Sequence, residues 1–253
     1  MASESTAVYV YGIVPADVET EPHATGVGDP PSEVTVVRHG TVAALVSTLE
    51  SDRALGTPAD LTAHEKLLDG SAAVSPVLPL RFGAVMTDTD AVENELLEAN
   101  EDEFRAALEE LEGRVQFVIR GRYVEDAILR ELLEENAEAS RLKDEIRDKP
   151  EDATRDTRIA LGELINQAIE AKRAEDTTKV VSELGKLEAL VNQREPSHEE
   201  DAVHVAVLVE SARRDELEET VRRLIEDWDG RVELDLLGPM AAYDFVTKRA
   251  PED

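Results

Sequence analysis

Ala202-Val203-His204-Val205-Ala206-Val207-Leu208-Val209 is the stretch on which the reading of this chain turns. Valine recurs at every second position, and the intervening residues are apolar except for His204. A run that is apolar on both faces is a central strand, covered on two sides. Downstream, Leu217, Val221, Leu224, Ile225 and Trp228 follow spacings of four, three, one and three, which line one face of a helix. Gly230 ends that helix. Val232, Leu234 and Leu236 then alternate as a last strand, followed by Gly238-Pro239 and Tyr243-Asp244-Phe245-Val246. Upstream, Pro196 to Asp201 reads as a hinge. Before it, residues 125 to about 194 are charged and helical, with apolar positions at Ile128, Leu129, Leu132, Leu133, Leu142 and Ile146. Pro150 interrupts; Ile159, Leu164, Ile165 and Ile169 follow, and Val180, Leu184, Leu187 and Val191 are spaced like a heptad. Two or three helices folded back as a projecting hairpin or coiled coil fit this pattern, as does a plain surface helix pair. Arg114 to Tyr123 alternates as a strand. Strand, long helical insert, strand, helix, strand is a ferredoxin-like order with an expanded first crossover.

The first half is also mixed. Ala7-Val8-Tyr9-Val10-Tyr11-Gly12-Ile13-Val14 is β-branched and aromatic, and Pro15 closes it. Ala16 to Ser32 reads as loop. Glu33–Val37 and Thr41–Val46 flank Arg38-His39-Gly40 as a hairpin, with Gly40 placed for a positive φ. Asp60 is expected to cap a short helix with Leu61, His64 and Leu68 on one face. Val74 to Met86 holds Pro76 and Pro79, so it is an edge strand or a bent one. Asp88 or Thr89 then caps a helix reaching Leu111, striped by Val92, Leu96, Leu97, Phe104, Leu108 and Leu111 and stopped by Gly113.

Composition narrows the function classes. The 253 residues carry 57 Asp and Glu against 27 Lys and Arg, a formal net charge of −30. Little remains for the basic face that nucleic acids need, and an anionic membrane surface would repel the chain. No apolar run reaches the ~18–20 residues of a membrane span. Met1 to Thr6 is polar, carries Glu4, and lacks the order of a secretory signal. With no cysteine, there are no disulfides, thiolate metal sites or cysteine nucleophiles. Acidic residues are spread along the whole chain and not gathered in a tail. In molar salt the screening length falls to about 3 Å and the self-repulsion fades, so a halophilic, salt-rich cytoplasm is the expected setting.

No catalytic constellation emerges. None of the five histidines, 23, 39, 64, 198 and 204, pairs with another at ligand spacing. His198-Glu199-Glu200-Asp201 reads as a solvated acidic turn before a chelator, His204 as a hydrogen-bonded strand histidine, and His64 as a packing histidine. Phosphate loops and nucleophile elbows are absent, and acidic pairs are too common to mark general acid–base work. The expectation is a non-enzyme with no cofactor and no metal. Two segments stand out. Val77-Leu78-Pro79-Leu80-Arg81-Phe82-Gly83 is an apolar run with one Arg, which should find a carboxylate or carbonyl. Leu237-Gly238-Pro239 to Tyr243-Asp244-Phe245 joins a turn to two aromatics. Arg81, Phe82, Tyr243 and Phe245 are the candidate interaction residues, as core or as anchors for a partner.

The chain resembles the gas vesicle accessory proteins of the GvpL/GvpF family, haloarchaeal type. Tyr9-Val10-Tyr11-Gly12-Ile13-Val14 carries the resemblance with His64 before Leu67-Leu68, Val77 to Gly83, Gly113-Arg114-Val115-Gln116-Phe117, and Leu237-Gly238-Pro239 to Tyr243-Asp244-Phe245. The family's final turn usually reads like GPWPPYSF; here it is Gly-Pro-Met-Ala-Ala-Tyr-Asp-Phe, a softer turn. The resemblance implies an α+β chain of two domains, 1–112 and 113–253, the second a modified ferredoxin-like fold with a helical hairpin or coiled-coil insertion over about 125–195. It implies a cytoplasmic, gas-vesicle-associated role, binding the shell protein GvpA and other accessory proteins during assembly, with no nucleic acid or membrane partner. A ferredoxin-like sensor or regulatory module for a small ligand is the alternative.

Overall fold

The computed structural model describes residues 6–50 and 53–246; of the polar N-terminal stretch, only Thr6 lies within them. Contacts divide the chain into two compact units. The first holds Met1–Phe117, Leu208–Ala212 and Gly238–Asp253; the second holds Val118–Val207 and Arg213–Leu237. It is an α+β protein with two sheets.

The first unit is organised around β1 (Thr6–Pro15), which lies between β4 (Val42–Glu50) on one side and β5 (Leu78–Pro79) and β6 (Val85–Met86) on the other. β3 (Pro31–His39) pairs antiparallel with β4, and β2 (Thr25–Gly28) closes the far edge. Strands point alternate side chains to opposite faces, and β1 supplies both faces. Val8 and Val10 join one core with Ile13; Tyr9 and Tyr11 join the other with Val14. The change of parity is a β-bulge. Register with β4 passes from Val10↔Val46 to Gly12↔Leu45, leaving Tyr11 as the extra residue. Gly12 is required there. A Cβ at this position would stand 2.7 Å from the Leu78 carbonyl oxygen and 2.9 Å from a Leu68 methyl.

Helices cover both faces of this sheet. α1 (Pro58–Ala72) brings Leu68 and His64 to the tyrosine face. Its N-cap is Thr57, and Asp60 is the return partner of a capping box, so the expected cap is displaced by three residues. Pro58, at the start of the helix, marks that earlier beginning. Leu61 is 42% exposed and does not share the buried face with His64 and Leu68. On the valine face lie α2 (Thr89–Ala91), capped by Asp88, a π-helical stretch Val92–Glu98, and α3 (Ala99–Leu111). The expected single helix is therefore interrupted. Asn100 leaves helical geometry and its side chain donates to the Leu96 carbonyl at 2.8 Å.

Other first-half expectations meet the structure in detail. The hairpin turns at Gly40, whose φ is 52°. The two-proline segment is two short pieces on β1, tied by Leu80 N–H to Tyr11 O and by Val10 N–H to Ala84 O, both 2.9 Å. The loop read over Ala16–Ser32 contains β2. Its anchor is Val27, fully buried, whose N–H donates to the Tyr11 hydroxyl at 2.7 Å. Four residues with two glycines offered no propensity signal for it.

The second sheet, most of whose residues belong to the second unit, is built on β7 (Arg114–Tyr123), β8 (Leu190–Gln193), β9 (Asp201–Glu210) and β10 (Val232–Met240), in the order β10-β7-β9-β8. Between β7 and β8 come α4 (Glu125–Glu135), α5 (Ala137–Ile146) and the 31-residue α6 (Arg155–Gly185); α7 (Arg214–Asp227) links β9 to β10. α5 packs on α6 through Ala139, Leu142 and Leu161, with Leu133, Ile146, Leu164 and Ile165 around them. The helical reading to 194 is corrected at its end. α6 stops at Gly185, Glu188 takes φ 54°, and Val191 lies in β8 and not on a heptad seam. Pro196–Asp201 runs through a bend and a turn into β9. The Asp201 carboxylate accepts Ser197 N–H at 2.8 Å and His198 N–H at 3.0 Å, pinning the turn before β9.

An ionic node helps tie the helical insertion to the sheet. Tyr123 at the end of β7 donates its hydroxyl to Asp176 of α6 at 2.8 Å. Arg231, just before β10, reaches the same carboxylate at 3.1 and 2.9 Å and Glu131 of α4 at 2.5 Å. Lys172 of α6 spans Glu131 and Glu135 at 2.8 Å each. Burial would raise the Glu131 carboxyl, but Arg231 and Lys172 outweigh it and hold its pKa below the usual range.

Candidate functional site

The four residues singled out from the sequence all lie in the first unit, and the sheet separates them into two pairs. Phe82 and Tyr243 pack on the tyrosine face; Phe245 packs on the valine face, where Arg81 lines a cleft. Arg81 and Phe82 open a turn that Ala84 N–H closes onto the Arg81 carbonyl at 3.3 Å, and although adjacent in sequence they line different faces.

On the tyrosine face, rings gather around His64. Its centroid lies 5.7 Å from both Tyr9 and Tyr11, 5.6 Å from Phe82 and 6.5 Å from Tyr243. The Tyr9 hydroxyl accepts Gly83 N–H at 3.1 Å and meets His64 Nδ1 at 2.9 Å. The simplest proton assignment has Tyr9 donating to Nδ1, which places the ring proton on Nε2. Burial keeps His64 neutral by lowering its pKa, with the Leu80 backbone opposing in part. Burial likewise pushes the Tyr9 hydroxyl up to about 12. This is a packing histidine in a network of rings, as read from the sequence.

The C-terminal segment is held to this unit by three polar contacts. Ala241 N–H donates to Asp69 at 2.9 Å. The Gln116 amide, fully buried, donates to Asp244 at 2.6 Å and accepts Asp244 N–H at 3.1 Å. These place the short helix α8 (Tyr243–Val246), with Phe245 and Val246 against β5 and α3.

There the valine face opens into an apolar cleft of about 350 Å³. One wall is Leu78 to Arg81; the other is Leu96, Phe104, Ala107 and Leu111; Phe245 and Val246 close an end. Asn100, Glu103 and Glu110 line it from the same helical side. Arg81 is exposed at the rim, just before the turn that begins at Phe82. The α3 half of the cleft was missed as a site. Leu96 and Phe104 were legible as a stripe, but a stripe does not say which of its members stay partly uncovered. The region before β9 offers no comparable chemistry: Asp201 is spent on its turn and on Arg120 at 3.5 Å. Among the described residues no group of three His, Asp or Glu could hold a metal, and no helix is long and apolar enough to cross a membrane.

Fold and cleft define a class: a two-sheet α+β protein with a long helical insertion and an apolar cleft in its first unit. Residues 7–247 match the model of the gas vesicle synthesis protein GvpL/GvpF family, and the chain belongs to that family. It is 30% identical over 243 residues to gas vesicle protein F of Streptomyces sp. (strain CB03234), covering 95% of this chain and 99% of that one. It is 23% identical to gas vesicle protein F of Dolichospermum flosaquae, over 96% and 98% of the two chains. The crystal structure of GvpF from Anabaena sp. PCC7120 superposes with a TM-score of 0.79 at 22% identity, over 96% of this chain and 98% of that one. That of Microcystis aeruginosa GvpF gives 0.76 at 19% identity, over 95% and 98%. The chain is thus a gas-vesicle-associated protein involved in gas vesicle formation.

Proposed function

We propose that this chain is an assembly protein that binds the gas vesicle shell protein GvpA, and other accessory proteins, through apolar surface of its first unit. The observation that carries the reading is the cleft between β5 and α3, an uncovered apolar concavity on a protein of charge −30. Binding through apolar contact survives molar salt, where ion pairs are screened. A charged carrier covering an apolar surface keeps it from premature self-association. Arg81 and Phe245 are the contact residues; Phe82 and Tyr243 support them from the opposite face. The second unit, with β-α-β-β-α-β order and the strand arrangement β10-β7-β9-β8, is a modified ferredoxin-like fold. The relatives named above come from a streptomycete and cyanobacteria, so the salt-adapted, cytoplasmic setting rests on the charge alone.

Co-purification with the shell protein in molar KCl tests this. Saturable association, weakened by Phe245→Ala in a chain that stays folded, is the expected result. Absence of association with both proteins folded would remove the shell protein as a direct partner.

A further inference from the structure

We propose that a groove on the helical insertion receives a helix of a partner protein, one that sets a cation–anion–cation row, at four-residue spacing, beside an apolar stripe. The groove belongs to the second unit alone, so the proposal goes beyond the reading above. It runs between α4, α5 and α6 and measures about 820 Å³. Its α4 wall is Asp126, Leu129, Arg130, Leu133 and Glu134. Spacings of three, one, three and one put these on a single helix face, the kind of stripe a helix buries against a neighbour. α4 already buries a different stripe, Ile128 and Leu132. Leu129 and Leu133 stay half-buried over the groove, with Leu161 and Ile165 of α6 on its far side. The cluster joining α5 to α6 buries only Ala139, Leu142 and Leu161, so the insertion leaves apolar surface that its own helices do not cover.

Charge selects the occupant. Asp126, Arg130 and Glu134 stand one turn apart along α4, roughly 12 Å from first to last, and all three are exposed. Arg130 has a carboxylate one turn away on either side and pairs with neither. Among the described residues, the side chains of Asp126, Arg130, Glu134 and Lys143 hold no ion pair or hydrogen bond. Elsewhere on the insertion such pairs do close: Arg141 reaches Glu138 and Glu145 at 3.3 Å each, and Lys172 reaches Glu131 and Glu135 at 2.8 Å each. A helix laid along α4 satisfies the open row with a cation, an anion and a cation at i, i+4 and i+8, while two of its apolar side chains cover Leu129 and Leu133. Flanking charges of this kind set partner choice between paired helices. Lys143, on the α5 wall, takes a further carboxylate. A second copy is disfavoured. Laid antiparallel and in register on itself, α4 sets Arg130 against Arg130 and Asp126 against Glu134, and each copy carries a charge of −30.

The probes are two fluorescein-labelled helical peptides, each with a pair of leucines one turn apart. One carries lysine, glutamate and lysine at four-residue spacing beside the leucines; the other carries glutamate, lysine and glutamate. Residues on the far face give both the same net charge. Anisotropy is read on the full chain, from the lowest KCl concentration at which circular dichroism shows it folded up to about 2 M. The lysine–glutamate–lysine peptide should bind about tenfold tighter at the low end, with the preference shrinking as salt rises. The triple variant Asp126→Lys/Arg130→Glu/Glu134→Lys, at exposed positions, should reverse the preference. Leu129→Ser should weaken both peptides about tenfold; where it fails to fold, the triple variant decides. Phe245→Ala, in the first unit, should change neither. Equal binding, no binding, a folded triple variant that keeps the original preference, or indifference to Leu129→Ser would overturn the proposal. So would loss of binding in folded Phe245→Ala, which places the peptide in the first-unit cleft, or self-association of the chain that Leu129→Ser abolishes, which makes a second copy the occupant. Shell-protein association without peptide binding discards the groove and keeps the reading above; peptide binding without shell-protein association does the reverse.

Discussion

Asp176→Asn tests how much the ionic node around Asp176 fastens the helical insertion to the second sheet. Asp176 accepts three hydrogen bonds, from the Tyr123 hydroxyl at 2.8 Å and from Arg231 at 3.1 and 2.9 Å. Asparagine keeps an oxygen for Tyr123 but loses the charge and one acceptor facing the guanidinium. A hydrogen bond to a charged group contributes about 1.5–3 kcal/mol. Glu131 still holds Arg231 at 2.5 Å, so the cation is not orphaned, and the cost stays below the about 3–5 kcal/mol of stripping a buried ion of its partner. The expected loss is about 2 kcal/mol. Asp176→Leu also strands the Tyr123 hydroxyl and should cost about 3–4 kcal/mol. The side chains of Arg231 and Asp176 are 20% and 10% exposed, so salt should screen this pair only weakly. Urea unfolding followed by far-ultraviolet circular dichroism, with and without about 2 M KCl, measures both variants. A loss below about 0.5 kcal/mol for Asp176→Asn, or one that vanishes in high salt, would refute the reasoning by placing the pair with ordinary surface ion pairs.

His64 should make stability depend on pH from below neutrality. Its pKa is lowered in the fold by burial, so the unfolded chain takes up the proton first, near 6.5. Stability is then full above about 6.5 and falls as pH drops below it; His64→Phe should flatten that part of the melting-temperature profile, and an unchanged slope would count against it. Gly12→Ala should cost about 1–3 kcal/mol, because the new methyl meets the Leu78 carbonyl where β5 joins β1; a wild-type urea midpoint would show that the approach is not tight. With a charge of −30, the melting temperature should rise between about 0.2 M and 2 M KCl. A flat profile would withdraw the salt-adapted reading.

Much of the fold was legible where a local pattern was long. β7 and α7 carry a period of two or 3.6, β1, β9 and the β3–β4 hairpin are runs rich in β-branched residues, and the structure places them as strands and helix as read. Short elements were not legible. β2 exists because Val27 is buried and its N–H finds Tyr11, a contact across sixteen residues. β8 was read as helix because Val191 continues the spacing of Val180, Leu184 and Leu187, but pairing with β9 makes it a strand. The π stretch and the Asn100 kink lie within an unbroken helical stripe, where apolar spacing does not report a change of pitch. For the site, Arg81 and Phe245 were legible as residues; the cleft they share with Leu96, Phe104 and Ala107 was not.

The amino-acid order alone determined the charge, the absence of thiol chemistry, the long periodic elements and the motifs that mark the family. Those properties belong to single residues or to neighbours along the chain. The tertiary structure decided which face each residue occupies. One extra residue, Tyr11, reverses the alternation of β1, and the turn from Arg81 to Ala84 leaves Arg81 and Phe82 on opposite sides. A cleft is the space left between elements distant in sequence, Leu78–Arg81, α3 and Phe245–Val246. Its shape depends on how β5, α3 and the C-terminal segment are seated, and that seating follows from hydrogen bonds and packing that no local pattern encodes.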